Sequence, residues 1–420
     1  MPVVSETMPQ PTAPEKTNGG SQFPAIAMAL LLLGLSVLSS PHFVGRVLLL
    51  HRYRHNLEAY VYAVAGTFLA LALAAIVWRR PLNGWFGQVF PSKKEVALAG
   101  IVMAFSCGLA ALAAEGAARI LNYPFRPMWV ASENPLATFD PEVGWAYLPN
   151  HSVTQEFGSD HRQVAMYFDD VGCRVQGPGL HADRSAPAAL FVGDSFTFGH
   201  GVTFEESFVG QISAARDFPL HAVNLGIQAY GTDQSLLLLK RQFRKFNTKL
   251  VVFTFTNMQI DRNAFEDRRI QYPDGLFLGT KPRFGLGRDG SLYLADKAAE
   301  FKDLSYSHLW AALRVLEYRW GPPQDVRLTR ALIEEMKRFV EANGAKFVVV
   351  DWYDDKDFPW GLDLDIVRIG HDAPAGFYSW VIPGDPHPDV RAHEYAAKVI
   401  AAEVTRVLNN TNPVSARGQS

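Results

Sequence analysis

The sequence is poor in cysteine, with two in 420 residues, Cys107 and Cys173. That rules out a disulfide framework, and no CxxC or HExxH spacing offers a metal site. Cys107 lies inside an apolar run and Cys173 well beyond it, so no disulfide is expected between them. Two cysteines are also too few to reveal the redox compartment. Charge of one sign is lacking as well: 40 Lys+Arg stand against 42 Asp+Glu, which gives no electrostatic reason to expect nucleic acid as a partner. The first apolar run, Phe23 to Ser40, has no basic segment before it and no A-x-A site after it, so it does not read as a cleaved signal peptide.

The hydrophobicity is concentrated at one end. Residues 1–22 are rich in Pro, Ser, Thr and Gly and are expected to be disordered. Three runs follow, Phe23–Ser40, Leu57–Trp78 and Val96–Ala114, almost without charge. Each approaches the length of about 20 residues that crosses a bilayer core. They predict a membrane anchor over residues 23–115 with three transmembrane helices. The connectors carry Arg46, Arg52 and Arg54, then Arg79, Arg80, Lys93 and Lys94. Placing the second connector in the cytoplasm sends the C-terminal domain outside; the reverse is only slightly worse by charge count.

Residues 116–187 read as a Pro- and aromatic-rich connection. From residue 188 to 410 a strand–helix rhythm sets in, and 411–420 reads as a tail. Apolar runs at Ala188–Val192, His221–Leu225, Lys249–Phe255 and Lys346–Trp352 suit buried parallel strands. Helical spacing occupies Glu206–Arg216, Asp233–Phe246, Leu304–Trp320, Val326–Asn343 and Asp389–Leu408. Turn signals within Arg269–Ala295 predict a small β excursion. The fold class is therefore α/β, a three-layer sandwich around a mostly parallel sheet. Ligands in such folds bind at the carboxyl ends of the strands.

Chemistry-bearing residues collect where those ends fall. FVGDSFTFGHGV, residues 191–202, puts Ser195 just past the first strand. A serine hydroxyl needs a base to take its proton, and the base needs an orienting acid. PGDPHPDV, residues 383–390, supplies Asp385 and His387, two residues apart in a turn before the last helix. Gly226 ends the second strand, where its N–H could face an oxyanion. Asn257 and Gln259, in TNMQ after the third strand, are alternative side-chain donors. Asp194 reads as a structural acid that binds backbone N–H groups. Arg262 holds either an internal carboxylate or an anionic substrate, and His200 reads as a surface histidine. His371 and His393 have no geometric case.

Over residues 186–408 these motifs resemble the SGNH (GDSL-type) hydrolase family. GDSFTFGHGV is similar to the first block, with Ser195 at the nucleophile's place. The Gly226 segment looks like the second block, whose glycine gives an oxyanion N–H, and Asn257 matches the asparagine of the third. Asp385 and His387 match the last block, in the variant where one residue separates acid and base; His393 falls at that block's end, with Ala392 in place of the usual glycine. The chain departs from the family at the third block, TNMQ instead of GxND. FDPEVGWAYLPN (139–150), FDDVGCRV (168–175) and KPRFGLGRDGSLYL (281–294) are similar to segments of bacterial membrane-attached members.

The resemblance implies an SGNH hydrolase-like fold and a serine esterase needing no cofactor or metal. Ser195, His387 and Asp385 would be catalytic, with Ser195, Gly226 and Asn257 around the oxyanion. Its substrate would be an acylated envelope glycan or glycolipid, O-acetyl groups being the expected acyl unit. The expected place is the bacterial inner membrane, with the C-terminal domain in the periplasm. Transfer of the acyl group to a polysaccharide hydroxyl would use the same residues. A glycan-binding or assembly protein without activity is the reading from a different class, favoured by the irregular third block.

Overall fold

In a computed structural model of the chain, the described residues are 29–30, 32–33, 36, 66–67, 69–89, 92–120, 136–272, 277–301, 307–320 and 326–409. The chain divides into two compact units, residues 1–116 with 320–322, and the remainder.

In the N-terminal unit two helices are well delimited, α1 (Arg79–Val89) and α2 (Lys93–Ile120). Among the described residues one helix, Lys94–Ile120, is long and apolar enough to cross a membrane. Its apolar side chains point in every direction, with Leu98, Ile101, Val102 and Phe105 all exposed, as suits a helix meant for an apolar surround rather than for one packed face. Most of the first predicted run and nearly half of the second lie outside the described residues, and of the three expected spans only the third is described over its full length. The second connector holds α1 and is not a bare loop.

The larger unit is built on an eight-stranded sheet. Its strands are β3 (Ser152–Phe157), β4 (Arg162–Phe168), β5 (Arg174–Val175), β6 (Pro187–Val192), β7 (His221–Asn224), β8 (Asn247–Phe255), β11 (Lys346–Asp351) and β12 (Asp365–Arg368), in the order β12-β11-β8-β6-β7-β5-β4-β3. The five strands from β12 to β7 are parallel, and β5, β4 and β3 extend them antiparallel. Two hairpins stand apart, β1 (Ala137–Asp140) with β2 (Gly144–Tyr147), and β9 (Arg283–Leu286) with β10 (Leu292–Asp296). The second is the excursion expected from the turn signals.

Strand periodicity sorts the core onto two faces. Leu190, Val192, Phe253 and Val349 point one way, against α5 (Thr232–Gln242) and α8 (Val326–Ala342). Phe191, Val252, Val348 and Val350 point the other way, against α4 (Phe208–Ala214) and α9 (Val390–Asn409). Both faces of the central strands are covered, which is why those strands read as unbroken apolar runs. The remaining helices are α3 (Ser195–Phe198), α6 (Met258–Ala264) and α7 (His308–Trp320).

Two departures have physical reasons. The segment read as a connection, 116–187, supplies β3, β4 and β5. β3 and β4 alternate, with Val153 and Phe157 buried opposite Val164, Met166 and Phe168. That period of two was legible, but the segment has no continuous apolar run. β12 escaped because it is a short edge strand, DIVR, in which only Val367 is fully buried.

The connectivity creates the crevice. From β6 the chain goes to β7 on one side, then back past β6 to β8 on the other. Loops after neighbouring strands therefore diverge at the carboxyl end of β6, the switch point where ligands bind in open α/β sheets. Phe253, fully buried at the middle of this sheet, is expected to carry much of its packing. Phe253→Ala should cost about 3–5 kcal/mol, read as a lowered denaturant midpoint by tryptophan fluorescence.

Candidate active site

The chain leaves β6 through Gly193 and Asp194 and enters α3 at Ser195. The bend is tight. A Cβ on Gly193 would lie 2.3 Å from Thr197 Oγ1, and one on Gly226 would lie 2.3 Å from the backbone nitrogen of Phe198. Glycine at both positions is thus a condition for packing α3 against the end of β7.

Asp194 caps α3, its Oδ1 accepting from the Phe196 N–H at 3.1 Å. Oδ2 accepts from Thr256 Oγ1 at 2.9 Å and from Arg262 Nη1 at 2.7 Å. Arg262 also donates to the Tyr230 carbonyl, 3.0 Å away. Asp194 is fully buried and Arg262 nearly so. The alternatives left open for Arg262 are thereby decided: it holds an internal carboxylate.

The far end of α3 is held by Arg174, a residue of FDDVGCRV. Its guanidinium donates to the carbonyls of Phe198, Gly199 and Val202 at 2.6–2.7 Å and covers the Phe198 ring. Burial lowers its pKa to about 10, so it remains a cation facing the carbonyl end of the helix. Asn224 adds two bonds from its amide, to the carbonyls of Thr197 and Phe198.

Ser195, His387 and Asp385 meet across the crevice. His387 Nε2 lies 2.9 Å from Ser195 Oγ, and His387 Nδ1 lies 2.5 Å from Asp385 Oδ1. A carboxylate only accepts, so the imidazole proton sits on Nδ1 and Nε2 is left as the acceptor for the serine hydroxyl. Burial tends to raise the Asp385 pKa, but hydrogen bonds from His200 and His387 outweigh it and hold the carboxyl well below its ordinary range. Asp385 is therefore an anion wherever His387 can act as a base. This is the arrangement of a serine nucleophile, its base and an orienting acid.

His200 is not a plain surface histidine. Its Nε2 lies 3.2 Å from Asp385 Oδ2, and its ring stacks on that of His387 with centroids 3.9 Å apart. Burial, opposed by the Asp385 hydrogen bond, holds His200 below the usual histidine pKa. Its position five residues after Ser195 was the available signal; the contact with residue 385 was not visible in the sequence.

The oxyanion candidates separate. Gln259 is fully buried, its amide nitrogen donating to the Thr254 carbonyl and its oxygen accepting from Thr232 Oγ1. That spends it on structure. Asn257 is exposed before α6, and its side chain does not cap that helix. Thr256, beside it in the chain, touches Asp194, so Asn257 stands at the same edge as Ser195. The N–H of Gly226 is donated to Asn224 Oδ1 at 3.0 Å, so this glycine serves the approach of α3 and not, in this arrangement, an oxyanion. Ser195 is the first residue of α3, where a backbone N–H has no partner within the helix.

Among the described residues two groups of side chains have cation-binding spacing, His200 with Asp385 and His387, and Asp169 with Asp170 and His181. In the first, the nitrogen and oxygen atoms that face one another are taken up by the hydrogen bonds just described. In the second, Asp169 accepts from the N–H groups of Val171 and Cys173, and Asp170 pairs with Arg184.

No protein-family model and no curated protein matches the chain. Solved structures similar to it include lipolytic proteins of the G-D-S-L family from Desulfitobacterium hafniense and from Veillonella parvula. They show 12% and 11% identity over 52% and 53% of this chain and 99% and 100% of theirs, with TM-scores of 0.26 and 0.27. A protein assigned as an acylhydrolase, from Bacteroides fragilis, shows 11% identity over 56% of this chain and 92% of its own, with a TM-score of 0.29. At scores this low the chemistry has to be read from the side chains.

Arg262→Ala leaves Asp194 buried without its cation and should destabilise the protein by about 3–5 kcal/mol, measurable as a fall in the denaturant midpoint. His393 is fully buried behind Phe208, whose N–H it accepts at Nδ1. Burial first, and Arg174 second, lower its pKa to about 3. The unfolded chain then binds the proton first as pH falls below about 6.5, so stability present above that pH is lost between there and pH 3. Unfolding curves at pH 7 and pH 5 should show a smaller pH penalty for His393→Phe than for the wild type.

Proposed function

We propose that the chain is a membrane-anchored serine esterase acting on acyl esters of envelope glycans or glycolipids. The observation that carries the chemistry is the 2.9 Å contact between Ser195 Oγ and His387 Nε2, with Asp385 on the other ring nitrogen. Ser195 Oγ attacks the ester carbonyl as its proton passes to His387 Nε2. The tetrahedral oxyanion forms beside the Ser195 N–H, with Asn257 as the side-chain donor. His387 then protonates the departing alcohol. A water, deprotonated by the same nitrogen, releases the acid and restores Ser195.

The substrate class rests on the helix Lys94–Ile120 and on the likeness of segments 139–150, 168–175 and 281–294 to membrane-attached proteins. An anchored domain facing the periplasm stands beside envelope glycans and glycolipids, and O-acetyl is the expected acyl group. A sugar hydroxyl entering in place of water would give acyl transfer through the same side chains.

Ser195→Ala should lower hydrolysis of a short-chain acyl ester by at least ~10³-fold and abolish labelling by a fluorophosphonate. Unchanged hydrolysis in the purified variant would rule out this mechanism. Retained glycan binding by a wild-type protein that takes no label would mark it as a binding module. Free acetate measured against acylated glycan separates hydrolysis from transfer.

A further inference from the structure

The acid and base of this site belong to one short turn, and their bond to each other cannot locate that turn relative to Ser195. Asp385 and His387 are two residues apart, both about one-fifth exposed. Their turn closes on itself through Ile382 N–H to the His387 carbonyl and Asp385 N–H to the Ile382 carbonyl. From outside, Ser159 N–H donates to the Pro383 carbonyl at 2.6 Å, which holds the backbone of the turn but neither of the two side chains, and general-base catalysis fails when the nitrogen leaves hydrogen-bond reach of the hydroxyl.

We propose that His200 is a positioning residue that fixes Asp385, and through it His387, on the nucleophile; this rests on the esterase reading above. His200 sits at the end of the nucleophile's own helix, and its backbone N–H donates to the Ser195 carbonyl at 3.0 Å. Its ring reaches across to the opposing turn and binds the carboxylate oxygen that His387 leaves open. It also lies flat against the His387 ring, at an interplanar angle of 28°, while Phe157 closes its other side edge-on at 4.6 Å. One imidazole thus ties the acid to the nucleophile's segment and sets the plane of the base.

The tautomer follows from the partners. Facing a carboxylate, Nε2 must carry the proton, so Nδ1 must accept. A donor stands there, the Gln228 amide nitrogen at 2.6 Å. Gln228 is held in turn at its backbone. Its N–H donates to Tyr147 Oη at 2.9 Å, and its carbonyl accepts from Trp145 Nε1 at 3.1 Å. Trp145 and Tyr147 lie in β2, within the GWAY stretch of segment 139–150, for which the reaction itself has no use. The chain of contacts from β2 to Ser195 gives that segment a purpose.

Charge sets the second consequence. The titratable and charged groups facing His200 are Asp385 and His387 on the turn, with Arg174 on β5 acting at longer range. When His387 takes the serine proton it becomes a cation stacked on His200, so His200 must stay neutral. Its hydrogen bond also shares the Asp385 charge. Without that bond the carboxylate acts more fully on His387 and stabilises the imidazolium, so the acid limb of reactivity moves to higher pH.

The test is the rate at which a fluorophosphonate labels Ser195 in the full-length protein in detergent, from pH 5 to 9. His200→Phe keeps a ring in place but has no N–H; His200→Gln keeps a donor of similar reach but has no ring. His200→Phe should label about tenfold more slowly or worse, with its acid limb shifted upward, and His200→Gln should recover most of the rate. Gln228→Leu, which removes the donor to Nδ1, should shift both in the same direction and stands in if His200→Phe does not fold. A wild-type rate and pH profile in His200→Phe or Gln228→Leu would overturn the proposal while leaving the esterase reading intact. Equal losses in His200→Phe and His200→Gln would show that a donor to Asp385 does not restore the rate, and would overturn it too. A wild-type protein that takes no label overturns the esterase reading, and this inference with it.

Discussion

The site depends on one buried charge. Asp194 has no exposed surface, and its carboxylate is met by a backbone N–H, a hydroxyl and a guanidinium. These donors come from different places at the same sheet edge: Phe196 from the turn after β6, Thr256 from the end of β8, and Arg262 from α6. Arg262 also holds the Tyr230 carbonyl in the loop after β7. A serine at the end of a strand is of use only if its turn keeps one conformation. Here the turn cannot relax without leaving an anion unpaired in a low-dielectric interior, which is costly.

Around that anchor the protein holds α3 from both ends. Asp194 accepts from the Phe196 N–H, while Arg174 and Asn224 take its last carbonyls. Charges of opposite sign sit at opposite ends of the peptide dipoles, the favourable sense at each end. The opposing turn has no comparable burial, its Asp385 and His387 side chains being about one-fifth exposed. Its order comes instead from cross-links to buried parts, and the strands that precede Ser195 bear on this. β5 supplies Arg174, and β2 supplies Trp145 and Tyr147, which hold Gln228 beside His200.

Not every motif serves the site. Lys281, from segment 281–294, is fully buried and paired with Asp233 in the first turn of α5. His393, at the end of the last block, is fully buried against Phe208 of α4 and Trp352. Burial assigns both to the frame.

The sequence by itself determined the central strands, because a strand covered on both faces must be apolar throughout, and that leaves a run such as KLVVFTF or KFVVVD. It also determined that Ser195 falls just past the first of them, that Asp385 and His387 share a turn before the last helix, and that residues 96–114 form an apolar helix. Tertiary structure alone decided the rest. It turned β3 and β4 from connection into sheet, since alternation declares a buried face but not what covers it. Gln259 went to the backbone and Asn257 to the surface, two residues apart, because a helix turns them to different sides. The N–H of Gly226 was taken up by Asn224, and His200 was brought to a carboxylate 185 residues away. Hydrophobic period reports which side of an element faces inward. It carries no record of which polar group waits there, and that is settled only when distant segments are packed together.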